Sequence, residues 1–121
     1  MILVDTSIWV DHLRGGDKTL VNLLNAGRVL THPFIIGELA LGHLKQRELV
    51  IRTLQELPQA TLAKDGEVLE FIERENLFGL GIGYIDAHLL ASVRLTAGAT
   101  LWTRDKKLAE VAKLLKLAAS V

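Results

Sequence analysis

The chain reads as an α/β domain in which a parallel sheet of four to five short strands is flanked by helices on both faces. Three observations predict this. Short apolar runs alternate with segments of helical periodicity, the order that a parallel sheet with helical crossovers requires. Two of the runs, Ile2-Leu3-Val4 and Thr100-Leu101-Trp102-Thr103, lead directly to an acid, Asp5 and Asp105. Open parallel sheets build their sites outside the carboxyl ends of their strands, so both acids belong to one edge of the sheet. At 121 residues the expectation is a single domain over residues 1–121. A chain of this length buries about two thirds of its unfolded surface.

The elements follow in order. Ile2 to Val4, bounded by Asp5-Thr6-Ser7, is a buried strand. Thr6 or Ser7 caps a helix carrying Ile8, Trp9 and Leu13 that stops at Gly15-Gly16. Asp17 caps a second helix with Leu20, Leu23 and Leu24 inward, ended by Gly27. Arg28 to Thr31 is the second strand, and Pro33 opens a helix running from Phe34 to about Leu44. A fourth helix covers roughly Gln46 to Leu57 and halts before Pro58. Ala60 to Ala63 is a third strand, and Asp65 caps a helix with Val68, Leu69 and Ile72 on one face. The glycine-spaced loop Gly79-Leu-Gly81-Ile-Gly83 leads into a helix from Tyr84 to about Thr96. Thr100 to Thr103 is the fourth strand, residues 106–115 form the last helix, and Leu117 to Ala119 offer a fifth strand.

Composition narrows the function classes. The absence of cysteine excludes a disulfide framework and any thiolate metal site, and it fits a reducing cytoplasmic setting. No apolar run approaches the roughly 20 residues of a membrane span. No charged stretch precedes the N-terminal apolar run, so the expectation is a soluble, cytoplasmic protein without membrane contact. Half the residues are hydrophobic and mean hydropathy is +0.31, which points to apolar surface facing a partner. Net charge is zero but unevenly spread: eight acids from Glu48 to Asp86 stand against Arg52, Lys64 and Arg74. That balance excludes a strongly basic nucleic-acid binder. It leaves a local basic edge, Arg104, Lys106 and Lys107, beside Asp105 for phosphate contact.

Four acids, Asp5, Glu38, Asp86 and Asp105, each sit where a hydrophobic segment meets a turn or a helix. Two carboxylates about 5 Å apart repel by roughly 3 kcal/mol at an effective dielectric near 20. A cluster of four is therefore frustrated until a hard divalent cation, Mg²⁺ or Mn²⁺, takes their oxygens as ligands. Such ions activate water and neutralise charge on a phosphate, chemistry suited to phosphodiester hydrolysis without a histidine base. Taken singly, Asp86 is also explained as an acid in a helix first turn.

The segments Val4-Asp5-Thr6-Ser7, Ile36-Gly37-Glu38-Leu39 with Gly42, Tyr84-Ile85-Asp86-Ala87 and Trp102-Thr103-Arg104-Asp105-Lys106-Lys107-Leu108 span nearly the whole chain. In that order they resemble the PIN-domain ribonucleases, specifically the toxins of bacterial and archaeal VapBC toxin–antitoxin pairs. The resemblance implies a metal-binding acidic pocket with Asp5 and Asp86 as core ligands. Glu38 would ligate directly or through water, and Asp105 through water or by holding a second ion. Thr6, Ser7 and Thr103 would orient those carboxylates or water. It further implies endonucleolytic RNA cleavage leaving 3′-hydroxyl and 5′-phosphate ends, a homodimer, and silencing by a small antitoxin whose tail wraps the protein near the pocket. The apolar stretch from Phe34 to Leu57, with Leu44, Leu49, Ile51 and Leu54, is the candidate groove for that tail.

Other features carry less. His12, His32, His43 and His88 lack zinc-site spacing; His88 is turned away from Asp86, and His32 caps a strand end. The glycine loop lacks a preceding strand and a Walker lysine. Trp102 packs in the core, Trp9 faces either RNA or a dimer partner, and Asp11 is a surface acid. An apolar strand ending in Asp also opens haloacid-dehalogenase-type phosphatases, but those carry a second acid where this chain has Ser7. The non-enzymatic rival is a degenerate PIN module that binds RNA or a protein partner without cleavage. Retention of four acids opposes it, since pure binding needs no phosphate-repelling cluster.

Overall fold

The computed structural model describes residues 1–121. Its centre is strand β1 (Ile2–Val4), paired in parallel with β2 (Val29–Leu30) on one side and β3 (Thr100–Trp102) on the other. Ile2 aligns with Val29 and with Thr100, Leu3 with Leu30 and Leu101, and Val4 with Trp102. All three β1 side chains are buried. Successive side chains of a strand point to opposite faces, so both faces of the sheet are covered, as a parallel sheet demands.

The sheet has three strands, not four to five. The chain does pass both outer edges: Thr31 bridges Gln59, and Leu101 bridges Ala118, each in parallel. Neither contact extends, for reasons visible in the backbone. Thr31 donates to Pro58 O (2.9 Å) and accepts from Ala60 N (2.9 Å). Beyond Ala60 the donors turn to side chains, Thr61 N to Thr96 Oγ1 (2.8 Å) and Ala63 N to Ser92 Oγ (3.1 Å). The expected strand Ala60 to Ala63 is thus spent on a helix. On the other edge Leu101 alone faces outward, bonded to Leu117 O (2.7 Å) and Ala119 N (2.9 Å). Its neighbours in β3 face β1, because parallel ladders engage alternate residues.

Seven helices surround the sheet: α1 (Thr6–Gly15), α2 (Lys18–Asn25), α3 (Pro33–Ala40), α4 (Arg47–Glu56), α5 (Asp65–Arg74), α6 (Tyr84–Leu95) and α7 (Lys106–Leu114). Asp17 caps α2 through Leu20 N (2.9 Å), as its sequence predicts. Asp5, rather than Thr6 or Ser7, occupies the cap position of α1, yet its side chain does not cap. The third helix ends at Ala40, short of Leu44, where the Arg47 guanidinium takes the carbonyls of Ala40 and Gly42. In α5 the inward face is Val68 and Phe71 with Ile72 alongside; Leu69, expected inside, points to water. Trp9 is buried rather than presented to RNA or a partner, and Trp102 is half-buried under Arg104. No helix is long and apolar enough to cross a membrane.

α6 runs through the core, with every residue from Ala87 to Val93 buried. That burial places His88 and Ser92 against His32, which caps α3 by accepting from Phe34 N (3.1 Å). His32 Nε2 lies 3.1 Å from Ser92 Oγ, which ties the end of β2 to α6.

Candidate active site

The end of β1 delivers Asp5 to the sheet edge. Its N–H donates to Trp102 O (2.9 Å), which extends the β1–β3 ladder by one bond and fixes the residue. The carboxylate is buried, and its Oδ2 accepts from Ser7 Oγ (3.0 Å) and Thr103 Oγ1 (2.7 Å). Those two hydroxyls also receive backbone donors, Arg104 N on Ser7 (3.0 Å) and Asp105 N on Thr103 (3.0 Å). One hydrogen-bonded unit therefore joins Asp5 to the loop after β3. Its side-chain hydrogen bonds all converge on Oδ2, and Oδ1 has no protein partner.

Glu38 projects from α3 on an exposed side, not from within an apolar face, and its Oε1 accepts from Thr6 Oγ1 (2.8 Å). Thr6 and Ser7, adjacent in sequence, thus steady two different acids. Asp105 caps α7 by accepting from Leu108 N (3.0 Å) through Oδ1. Asp86 sits in the first turn of α6, half-buried, with one long bond from Gly83 N (3.4 Å).

The electrostatics brings the four together. Burial holds the Asp86 carboxyl above its ordinary pKa; the Gly83 N–H opposes this, and the charges of Asp105, Asp5 and Glu38 all add to the rise. Every acid singled out by sequence therefore acts on Asp86. No three acidic or histidine side chains converge tightly enough to form a finished cage for one ion. The cluster is a shared negative field with oxygen donors only, and that is the donor chemistry a hard divalent cation takes.

The basic edge divides. Arg104 is committed: it pairs with Asp11 (2.5 Å) on α1 and Asp17 (2.7 Å) at the head of α2, and lies over the Trp102 ring. The Leu20 N–H, then Arg104, hold Asp17 below its usual pKa. Asp11 lies at the surface, as expected, and its pairing with a residue 93 positions on has no local spacing to announce it. Lys107 crosses Gly81, where an added Cβ would come within 2.7 Å of its Nζ. Gly81 has a positive φ of 83°, so the backbone favours glycine there, whereas the flexible end of the lysine can shift aside. Lys106 is exposed and forms no ion pair.

Comparison with known proteins completes the site. The model of the PIN domain family matches residues 2–114. Ribonuclease VapC32 of Mycobacterium tuberculosis, from strains CDC 1551 / Oshkosh and H37Rv, is 51% identical to the chain over 108 residues. That match covers 89% of this chain and 87% of the relative. The family match, over residues 2–114, takes in the positions of all four acids and of the hydroxyls that hold them.

Proposed function

The chain belongs to the PIN-domain family, and from that premise we propose that it is a metal-dependent endoribonuclease, the toxin of a type II toxin–antitoxin pair. The observation that carries the reading is the hydrogen-bonded frame that gathers the acids at the end of β1. Thr103 ties Asp5 to the loop of Asp105, and Thr6 beside Asp5 holds Glu38. Asp86 faces them from the first turn of α6, its carboxyl raised by the charge of all three. A like-charge cluster of this kind costs stability unless a cation uses it. The extensive identity to a protein named as a ribonuclease supports RNA as substrate.

Asp5 and Asp86 would hold the cation, Mg²⁺ or Mn²⁺, with Glu38 and Asp105 contributing directly or through water. When bound, such an ion supplies Lewis acidity and neutralises charge on the phosphodiester. The chain's own residues do the positioning. Ser7 and Thr103 both bond Asp5 Oδ2, fixing the carboxylate and leaving Oδ1 without a protein hydrogen bond. Thr6 restrains Glu38, a long exposed side chain that otherwise samples many rotamers. Asp105, anchored on the α7 N-terminus, completes the negative edge. Water adds to phosphorus, the P–O3′ bond breaks, and the proton ends on the 3′ oxygen, giving 3′-hydroxyl and 5′-phosphate termini. Lys106 and Lys107 stand beside Asp105 to meet flanking phosphates; Arg104 serves instead to brace the loop through Asp11 and Asp17.

The proposal extends to one domain over residues 1–121, a cytoplasmic location, a homodimer and a cognate antitoxin. Exposed Leu41 and Leu49 support an apolar partner surface around α3 and α4, whereas Leu54 is taken up by the core and cannot anchor a tail. The decisive experiment incubates antitoxin-free protein with total cellular RNA in Mg²⁺, Mn²⁺ or EDTA, and sequences the 5′-phosphate ends. Metal-dependent cuts at a few positions, absent with Asp5→Asn, are expected. RNA binding without cleavage under any metal would leave the degenerate binding module as the reading.

A further inference from the structure

A cavity of about 410 Å³ opens between α1 and the turn that joins α3 to α4, and Glu38 lines it. We propose that this cavity is a nucleotide subsite: it seats the base and sugar next to the cleaved phosphodiester, while Arg14 and Lys45 hold the adjoining phosphate. The inference rests on the ribonuclease reading of the acidic pocket and adds to it the place where substrate is gripped.

Three features of the cavity agree. Its size is that of a small-ligand pocket, enough for a single nucleotide. Its walls include Val10 and Leu13 of α1 and Leu44 of the turn, apolar surface on which a base can lie. Leu13 is exposed, so this surface is paid out to solvent when the cavity is empty. Its rim carries Arg14 and Lys45, both exposed and neither in an ion pair, in contrast to the doubly paired Arg104. The carbonyls at the end of α3 would compete for those cations, but the Arg47 guanidinium already takes Ala40 and Gly42.

Apolar walls with an unpaired cationic rim fit an anion that carries a flat apolar body. An acidic peptide shares that charge. Glu38, however, lines the cavity and is one of the four acids, and Thr6 holds it from the position beside Asp5. An occupant here therefore lies against an acid of the cluster itself, as an RNA strand placed for cleavage must and a separate ligand need not.

The test uses the ¹⁵N-labelled full chain in EDTA, so that no cleavage occurs, titrated with adenosine, cytidine, guanosine and uridine 3′,5′-bisphosphates. Saturable amide shifts at Gly42, His43, Leu44 and Lys45 are expected with at least one of the four. Affinity should fall about tenfold in Arg14→Gln/Lys45→Gln, whose exposed positions leave the fold and its spectrum intact. In parallel, the double variant acting on total RNA with Mg²⁺ should need more enzyme at the wild-type sites and lose preference among them. No shifts with any bisphosphate, or shifts indifferent to the double variant, overturn the subsite and leave the cavity to a protein partner. Bisphosphate binding in a wild-type protein that cuts no RNA with any metal would instead sink the ribonuclease reading while the nucleotide site stands.

Discussion

Two polar clusters lie at the carboxyl ends of adjacent strands, and they differ in nearly every physical respect. Around the end of β1, the acids Asp5, Glu38, Asp86 and Asp105 crowd like charge, with Glu38 and Asp105 exposed, Asp86 half-buried and Asp5 buried. After β2, His32 is sealed in the core beside His88 and has a partner on each ring nitrogen. Its Nδ1 accepts from Phe34, so the neutral ring carries its proton on Nε2 and donates to Ser92. Burial first, and the His88 charge second, bring its pKa down to about 4. One cluster crowds like charges and is partly reachable, which suits chemistry. In the other, His32 is satisfied and closed, which suits stability, although His88 Nδ1 has no partner. Polar groups at a strand end are thus not equivalent evidence of function. What separates them is whether the charged form is left wanting a partner.

The largest expected effect breaks the comparison at Asp5. Asp5→Asn keeps the shape and an acceptor for Ser7 and Thr103 but removes the charge that a cation needs. Cleavage should fall about a thousandfold, roughly 4 kcal/mol of barrier, with little change in thermal unfolding. Loss of folding in place of activity, seen as a collapsed melting curve, would put Asp5 in the structural class with His32.

The histidine cluster should respond in the opposite way, through stability and pH. The folded pKa of His32 is depressed to about 4 from an ordinary 6.5. The unfolded chain therefore binds the extra proton first, and stability is whole above about pH 6.5 and is lost as pH falls toward 4. The loss amounts to about 3 kcal/mol by pH 4. Asp86 pulls the other way: its raised pKa means that the native state takes up this proton more readily than the unfolded chain, which relieves repulsion on acidification. Urea unfolding at pH 7 and pH 4.5 gives their sum, and the His32 variant isolates one of them. A His32→Gln variant that keeps the full wild-type acid slope would remove His32 as its source.

How far the sequence could reveal these clusters depends on the range of the interactions. Asp5 and Asp105 were legible because a carboxylate after an apolar strand is a local anomaly. Asp17 as a cap and Pro33 at a helix start are equally local and appear where expected. The His32–Ser92 bond joins residues 60 apart, and Arg104 reaches Asp11 and Asp17 across 93 and 87 positions. No periodicity reports such contacts. Leu69 shows a different limit: Val68, Phe71 and Ile72 already fill one helical face at i, i+3 and i+4, and a leucine one step on faces water. The strand count failed because an edge pairing of one residue has strand-like composition but no ladder to hold it.

Divalent cation should touch only the acidic cluster. At about ten times its dissociation constant, Mg²⁺ or Mn²⁺ should stabilise the fold by about 1.4 kcal/mol, read as a rise in melting temperature. Asp86→Asn should abolish that rise while itself stabilising the metal-free protein, because it deletes the charge on which the other three acids act. An undiminished metal-induced rise in the variant would show that the ion binds elsewhere.

The smallest effect sharpens the contrast within the acidic cluster itself. Asp5 is held by two hydroxyls, whereas Asp86 has one long backbone bond, so the pocket has a rigid side and a compliant side. Thr103→Val keeps the β-branched shape at the strand end but removes the shorter of the two bonds to Asp5 and the acceptor for Asp105 N. A hydrogen bond to a charged group contributes about 1.5–3 kcal/mol, but Ser7 and water take over part of it at this half-buried position. Cleavage should therefore fall about tenfold, with the metal concentration for half-maximal activity raised. Ser7→Ala should do the same and also free Arg104 N, loosening the loop that Asp11 and Asp17 brace. If both variants cleave as wild type at every metal concentration, the orientation of Asp5 is set by its bond to Trp102 and burial alone, and the hydroxyls serve only to satisfy a buried charge.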